Sequence, residues 1–325
     1  MPLDPDAIVD RRRMRRKLTF WRVGAVAIAI IAIVGLAWSA LPSGRLSSAG
    51  GDYIARIKVE GLIRNNQERV DALERLAKSQ ARAVIVRVDT PGGTTAGSEQ
   101  LYDALRRLQE KKPMVVVVDG LAASGGYIAA MAADHIIALD TSIIGSIGVL
   151  FQYPNFSDIL KTVGIQVEAI RSSPLKAAPS GFEPTSPEAR AAIASIVMDS
   201  YAWFKGLVQS RRKLDDNLLN SVTDGRVFTG RQAVNLKLID SLGNERTALE
   251  WLQREKNIPA TTPVRDVALT ARFGDLSFLH MAKFTLETVG LPGFAQRIET
   301  WGALSAVERL NLDGLLALWH PPTEN

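Results

Sequence analysis

The stretch MVVVVDG, residues 114–120, sets five apolar side chains in a row, Met114 to Val118. Neighbouring side chains of a strand point to opposite faces, so such a run suits a position where both faces are covered. An inner strand of a parallel sheet, with helices above and below, is that position. The residues around it keep to the same plan. YIARIKVEGLI (53–63) and ARAVIVRVD (81–89) read as strands, and NNQERVDALERLAKS (65–79) and SEQLYDALRRLQEK (98–111) as helices, the first with Val70, Leu73 and Leu76 on one face. HIIALD (135–140), SIIGSIGVL (142–150) and, after a short helix, QVEAIRS (166–172) are expected strands. Strands that alternate with helices define an α/β layered domain. From residue 186 the pattern is mainly helical: a long amphipathic helix over 186–214, opened by Ser186 and Glu188, then short helices near 215–222, 229–237 and 245–256. PVRDVAL (263–269) is a candidate closing strand. The layered domain is assigned to 53–258 and a mostly helical extension to 259–325.

Ahead of this domain lies VGAVAIAIIAIVGLAWSAL (23–41), nineteen residues without a charge. As a helix it reaches ~28 Å, close to the thickness of a hydrocarbon core. A transmembrane anchor is therefore expected over 23–42, after a cytoplasmic basic segment (1–22) and before a Gly/Ser/Pro tether (43–52). A cleaved signal peptide is the competing reading; its apolar region would be shorter, and Trp38 spoils the small-x-small exit ending at Ala40. The formal net charge is +5, but residues 1–22 carry seven Arg and Lys against Asp4, Asp6 and Asp10, so about one unit is left for everything after them. The basic excess then reads as a topology signal, with the N-terminus cytoplasmic and the main body across the membrane, and no nucleic-acid partner is expected. There is no cysteine, which excludes thiol chemistry and zinc-thiolate sites, and only three histidines: His135, His280 and His320. Neither a cofactor nor a metal is expected.

The chemistry-bearing stretch is LAASGGYIAAMAADHII (121–137). Ser124 follows the strand 114–120 and precedes a helix, which puts it at the carboxyl edge of the sheet, where ligands of open α/β folds bind. Two readings stay open: a helix N-cap, which serine performs well, or a nucleophile. DTPGGTT (89–95) ends the strand 81–89 at the same edge, so Gly93 and Gly125 are candidates to offer two amides to one oxygen; an ordinary Pro-Gly turn is the alternative. A serine hydroxyl needs a base, and His135 begins an apolar strand, where a core or edge role suits it better. A lysine kept neutral by apolar surroundings is the other activator. Lys176 in RSSPLKAAPSGFEP is flanked by Pro174, Leu175, Ala177, Ala178 and Pro179, with no acid between Glu168 and Glu183. Ser146 in GSIG (145–148) is a candidate to orient its amine.

PGG at 91–93, AASGGYIAAMAAD at 122–134, GSIGV at 145–149, a lysine fifty-two residues after the serine, and GRVFTGRQAVNLKLIDSLG at 225–243 together resemble the signal peptide peptidase A family. The resemblance covers about residues 50–260. It implies a Clp-protease/crotonase-like fold, with Ser124 as nucleophile, Lys176 as general base, and Gly93 and Gly125 as oxyanion donors. It also implies a bacterial inner-membrane protein whose body is extracytoplasmic, which digests signal peptides and forms homo-oligomers with active sites at subunit boundaries. Three positions depart from the family pattern. Ile128 follows Tyr127 where a second aromatic is frequent, SPLKAAPSG keeps one lysine of a longer motif, and Lys237 stands where glycine is usual. Two other functions compete: a membrane scaffold on an inactive protease fold, and an acyl-CoA enzyme of the crotonase type, which would need no serine.

Overall fold

In the computed structural model, residues 21, 24, 51–269 and 315–318 are described. The expected anchor, apart from Gly24, and the helices expected between 275 and the end lie outside them. Among the described residues no helix is long and apolar enough to cross a membrane.

The main sheet follows the order β10–β1–β2–β4–β5–β9. Its strands are β1 (Tyr53–Glu60), β2 (Ala81–Thr90), β4 (Met114–Ala123), β5 (His135–Ala138), β9 (Ser241–Leu242) and β10 (Val264–Asp266), all paired in parallel. Alternation along the inner strands supplies two buried faces. Ala55, Ile57, Val84, Val86, Val116 and Val118 enter one large cluster, with Leu73 of helix α1 (Gln67–Ala77) and Leu101 and Leu105 of α2 (Thr95–Gln109). Ile54, Ala83, Ile85, Val115, Val117 and Ile137 enter a second, closed by Ala248 and Leu252 of α8 (Glu245–Lys256). Each such Val, Ile or Leu contributes about 1.5–3 kcal/mol of transfer free energy, which explains why the apolar runs choose the sheet interior. The remaining helices are α3 (Gly125–Ala130), α4 (Ser157–Thr162), α5 (Pro187–Arg212), α6 (Asp216–Val222) and α7 (Gly230–Asn235). Helix α5 begins where expected: Ser186 is its N-cap, accepting from the Ala189 amide, with proline at the first helical position.

Three sequence expectations differ. SIIGSIGVL does not make one strand but β6 (Ile143–Gly145) and β7 (Leu150–Phe151), separated by a loop in which Ser146 has φ +50°. QVEAIRS forms no strand and pairs with no strand among the described residues, and its apolar residues Val167 and Ile170 are exposed. Residues 315–318, within the stretch expected to be mostly helical, form strand β11. That strand lies between β3 (Gly92–Thr94) and β7, antiparallel to both, in a small second sheet of order β3–β11–β7. The usual glycine position at Lys237 does adopt the left-handed backbone, at φ +58°.

Candidate active site

Strand β4 changes partner near its end. Val115 to Val118 pair with β5, whereas Leu121 to Ala123 pair with β6. Ser142 fills the fork, its hydroxyl donating toward the carbonyls of Val118 (3.0 Å) and Asp119 (3.2 Å) and accepting from the Leu139 amide (3.1 Å). β6, paired antiparallel on its other side with β8 (Val227–Thr229), thereby extends the carboxyl edge of the sheet, and the Ser124 amide donates to Gly145 O at 2.7 Å. Beyond β4 the chain turns sharply. Ser124 sits at φ +53°, ψ −116°, a conformation that costs a non-glycine residue ~1–3 kcal/mol.

Two local features bear on the readings of Ser124. Its side chain makes no capping hydrogen bond, so the residue does not serve α3 as a cap. Ser124 is 1% exposed, and among the described residues its hydroxyl makes one hydrogen bond, a long 3.5 Å approach to Gly148 O. A strained serine at a strand-to-helix turn, with a hydroxyl left almost unbonded, is compatible with a nucleophile elbow. Gly125 is the first residue of α3, so its amide has no partner within the helix.

The neighbouring turn is built by a threonine that the sequence reading passed over. The Thr90 hydroxyl donates to Gly61 O and accepts from the Gly92 amide at 3.0 Å. A Cβ on Gly126 would lie 2.7 Å from the Thr90 methyl and 2.8 Å from its carbonyl. The serine helix therefore rests directly on the end of β2. Next, Ile63 N donates to Gly92 O and Thr94 N to Ile63 O, both at 2.9 Å. Strand backbone groups alternate sides, so the N–H and C=O of Gly93 face away from Ile63, toward β11. Gly93 and Ser124 thus flank the same slot from two loops that β2 and β4 deliver side by side, with Thr90 opposite Ala122.

On the other bank, residues 146–150 line a cavity of about 430 Å³ with Val197, Met198 and Tyr201 of α5 and with Thr223, Asp224 and Gly225. Ser146 borders this cavity, and its amide donates to Arg226 O at 2.8 Å. Arg226 donates to Asp224, whose carboxyl is held below its ordinary range by that pairing.

The other predicted residues fall elsewhere. Lys176 is exposed in a turn at 174–177, and its amine bonds to no other described residue of the same chain. His135 pairs with Val115, at the far end of β4 from Ser124. Its ring stacks on Trp251 at a centroid distance of 4.8 Å, and Nε2 lies 3.0 Å from Ser241 Oγ. Burial lowers its pKa.

Residues 106–259 match the model of Peptidase family S49, and residues 57–144 that of Clp protease. A protein of Synechocystis sp. named as a protease is 36% identical over 200 residues, covering 61% of this chain and 72% of that one. The chain belongs to peptidase family S49. A second relative, also named as a protease, from Methanocaldococcus jannaschii, is 33% identical over 58% of this chain and 61% of its own length. A protein of Enterococcus faecium named as a signal peptide peptidase is 30% identical over 62% of this chain and 59% of its own. The chain thus spans about three fifths of the length of these last two. The mixed α/β fold with its parallel-dominated sheet is Clp-protease-like, as expected.

Tyr127 holds the S49 serine helix in place. It is fully buried, its hydroxyl donates to Leu238 O at 2.7 Å, and burial pushes the phenol well above its ordinary pKa. Tyr127→Phe leaves that carbonyl buried without a donor and is expected to destabilise the domain by ~1–3 kcal/mol in denaturant titrations.

Proposed function

We propose that this S49 protease is a serine endopeptidase in which Ser124 attacks the peptide carbonyl and Lys176 accepts its proton. The amides of Gly93 and Gly125 hold the oxyanion, and Ser146 orients the lysine amine. The reading rests on one observation above all: a serine with a strained backbone, free of capping duty, set between two loops whose glycine amides are available at the same slot. Electrostatic stabilisation by such donors is the largest single contribution in acyl transfer.

The base is supplied by a neighbouring copy of the chain in a homo-oligomer. Supporting this, the segment that carries Lys176 also exposes much apolar surface among the described residues: Phe156, Ile159, Val163, Ile165, Ile170, Leu175 and Phe182 are all exposed in the single chain. An apolar patch of this kind marks an interface, and packing it against a neighbour would place the amine in the dry surroundings that keep it neutral. Substrates are extended apolar peptides with small or aliphatic residues at the cleaved bond. Cleaved signal peptides, held in the membrane beside a domain anchored through 23–42, fit that description.

The test is labelling with a fluorophosphonate. The full-length wild-type chain is expected to be labelled at one residue and to cleave apolar peptides. Ser124→Ala is expected to lose both while keeping its oligomeric state. Labelling that persists in Ser124→Ala would overturn the assignment.

A further inference from the structure

Three helices bear on the slot. Helix α2 begins just after the Gly93 turn, α3 begins at Gly125, and α5 lines the cavity beyond it with Val197, Met198 and Tyr201. Away from the slot, two arginines tie the same three together. Arg211 of α5 donates from Nε to Met131 O at 2.8 Å and from a terminal nitrogen to Ala133 O at 3.0 Å. Arg106 of α2 donates to Ala132 O at 3.3 Å. Met131, Ala132 and Ala133 are the buried residues that directly follow α3, so three successive carbonyls are met by side chains from its two neighbours. The tie runs on to the sheet. Arg106 also donates to Gln109 Oε1, Gln109 Nε2 donates to Asp134 Oδ1 at 2.6 Å, and Asp134 Oδ2 accepts from the Met114 amide at 2.8 Å. Met114 is the first residue of β4, the strand that ends beside Ser124.

Packing alone does not call for this arrangement. Burial lowers the pKa of Arg211, Arg106 beside it adds a like charge, and among the described residues its guanidinium makes no ion pair. An apolar side chain would cover Met131 to Ala133 at a smaller desolvation cost. What a guanidinium adds is direction, because its planar fork fixes two acceptors at once. Arg106 lies eleven residues beyond Thr95, about 16 Å along α2, and Arg211 lies ten residues beyond Tyr201 in α5. The clamp and the slot are thus at opposite ends of the same elements, and a tilt of α3 against α2 moves the Gly125 amide relative to the Gly93 amide.

We infer that Arg106 and Arg211 are positioning residues for the acyl-transfer step, a clamp behind the slot that holds Ser124 and its two amide donors in register without touching substrate. This rests on the reading of Ser124 as nucleophile. Attack needs the hydroxyl and both amides placed together, and a 1 Å misplacement set by a residue far from the chemistry costs on the order of 10²-fold. An interaction that counts only in the transition state shows in kcat and leaves KM alone.

The experiment compares full-length wild type with Arg211→Gln and Arg106→Gln on an apolar fluorogenic peptide. Arg211→Gln is expected to lower kcat by about tenfold with KM unchanged, and to slow fluorophosphonate labelling of Ser124 by the same factor. Arg106→Gln gives up a single carbonyl contact and carries the test if Arg211→Gln does not fold; a loss of about threefold in both rates is expected. Leu252→Ala is the control. That leucine lies in the cluster on the other face of the sheet, so its removal should weaken the fold through a cavity and leave kcat per folded chain unchanged. Arginine variants that behave like Leu252→Ala, less stable but with wild-type kcat and labelling rate, overturn the inference. A raised KM with kcat unchanged overturns it too, since it would place the arginines in substrate binding. A different failure is recognisable in the wild type itself: if it neither cleaves peptide nor takes the label, the nucleophile is wrongly assigned, and the clamp falls with the proposed function.

Discussion

Lys176→Ala is expected to reduce peptide hydrolysis by ~10⁴-fold, the upper end of what a positioned general base contributes, while the oligomer stays intact. Lys176→Arg should fare no better, since a guanidinium stays protonated and has no lone pair to accept the serine proton. The informative experiment mixes two inactive proteins. If Lys176 serves the serine of its own chain, Ser124→Ala and Lys176→Ala chains remain inactive after mixing and reassembly. If it serves a neighbour's serine, random assembly of equal amounts restores about a quarter of the sites, each pairing a Ser124 from one parent with a Lys176 from the other. The exposed position of Lys176 in the single chain favours the second outcome. Recovered activity therefore tests the base and the subunit boundary together. Wild-type turnover in Lys176→Ala would dismiss the residue.

The sheet was legible because its inner strands are written in long apolar runs that only a doubly covered sheet can bury. Val115 to Val118 and Val84 to Val86 needed no further context. Elements whose partners lie far along the chain were harder. QVEAIRS alternates like a strand, but a strand also needs a neighbour with free backbone groups, and among the described residues none pairs with it. LLAL at 315–318 reads as part of a helical tail, yet two strand edges from residues 92–94 and 150–151 claim it. The site divides the same way. Ser124, Gly93 and Gly125 could be placed at one sheet edge because strands 81–89 and 114–120 both end in glycine-bearing turns, though a cap and an ordinary turn fit the same residues. Thr90 and Ser142 were not, since a lone hydroxyl in a strand or turn gives no hint of which carbonyl it meets. The backbone angle of Ser124 and its missing capping bond were likewise not readable, because the residue types leave both undetermined.

Gly93→Ala is expected to lower kcat by ~10²–10³-fold, the cost of losing one oxyanion donor. A Cβ at this position would fall 1.8 Å from the carbonyl oxygen of Ile63 and 2.6 Å from its amide nitrogen, both backbone atoms that cannot swing aside. The turn must then shift, and the hydrogen bonds from Ile63 N to Gly92 O and from Thr94 N to Ile63 O, which fix the direction of the Gly93 amide, are lost or lengthened. Binding should suffer less than turnover, because the other edge of the slot, at Leu150 and Phe151, is untouched. Gly206→Ala is the control. That glycine lies in α5 with nothing within 4 Å of the added methyl, so the change should leave turnover intact and raise stability by up to ~1 kcal/mol. If Gly93→Ala folds and keeps wild-type kcat/KM, its amide contributes nothing to the transition state, and the oxyanion must be held by Gly125 with some other donor.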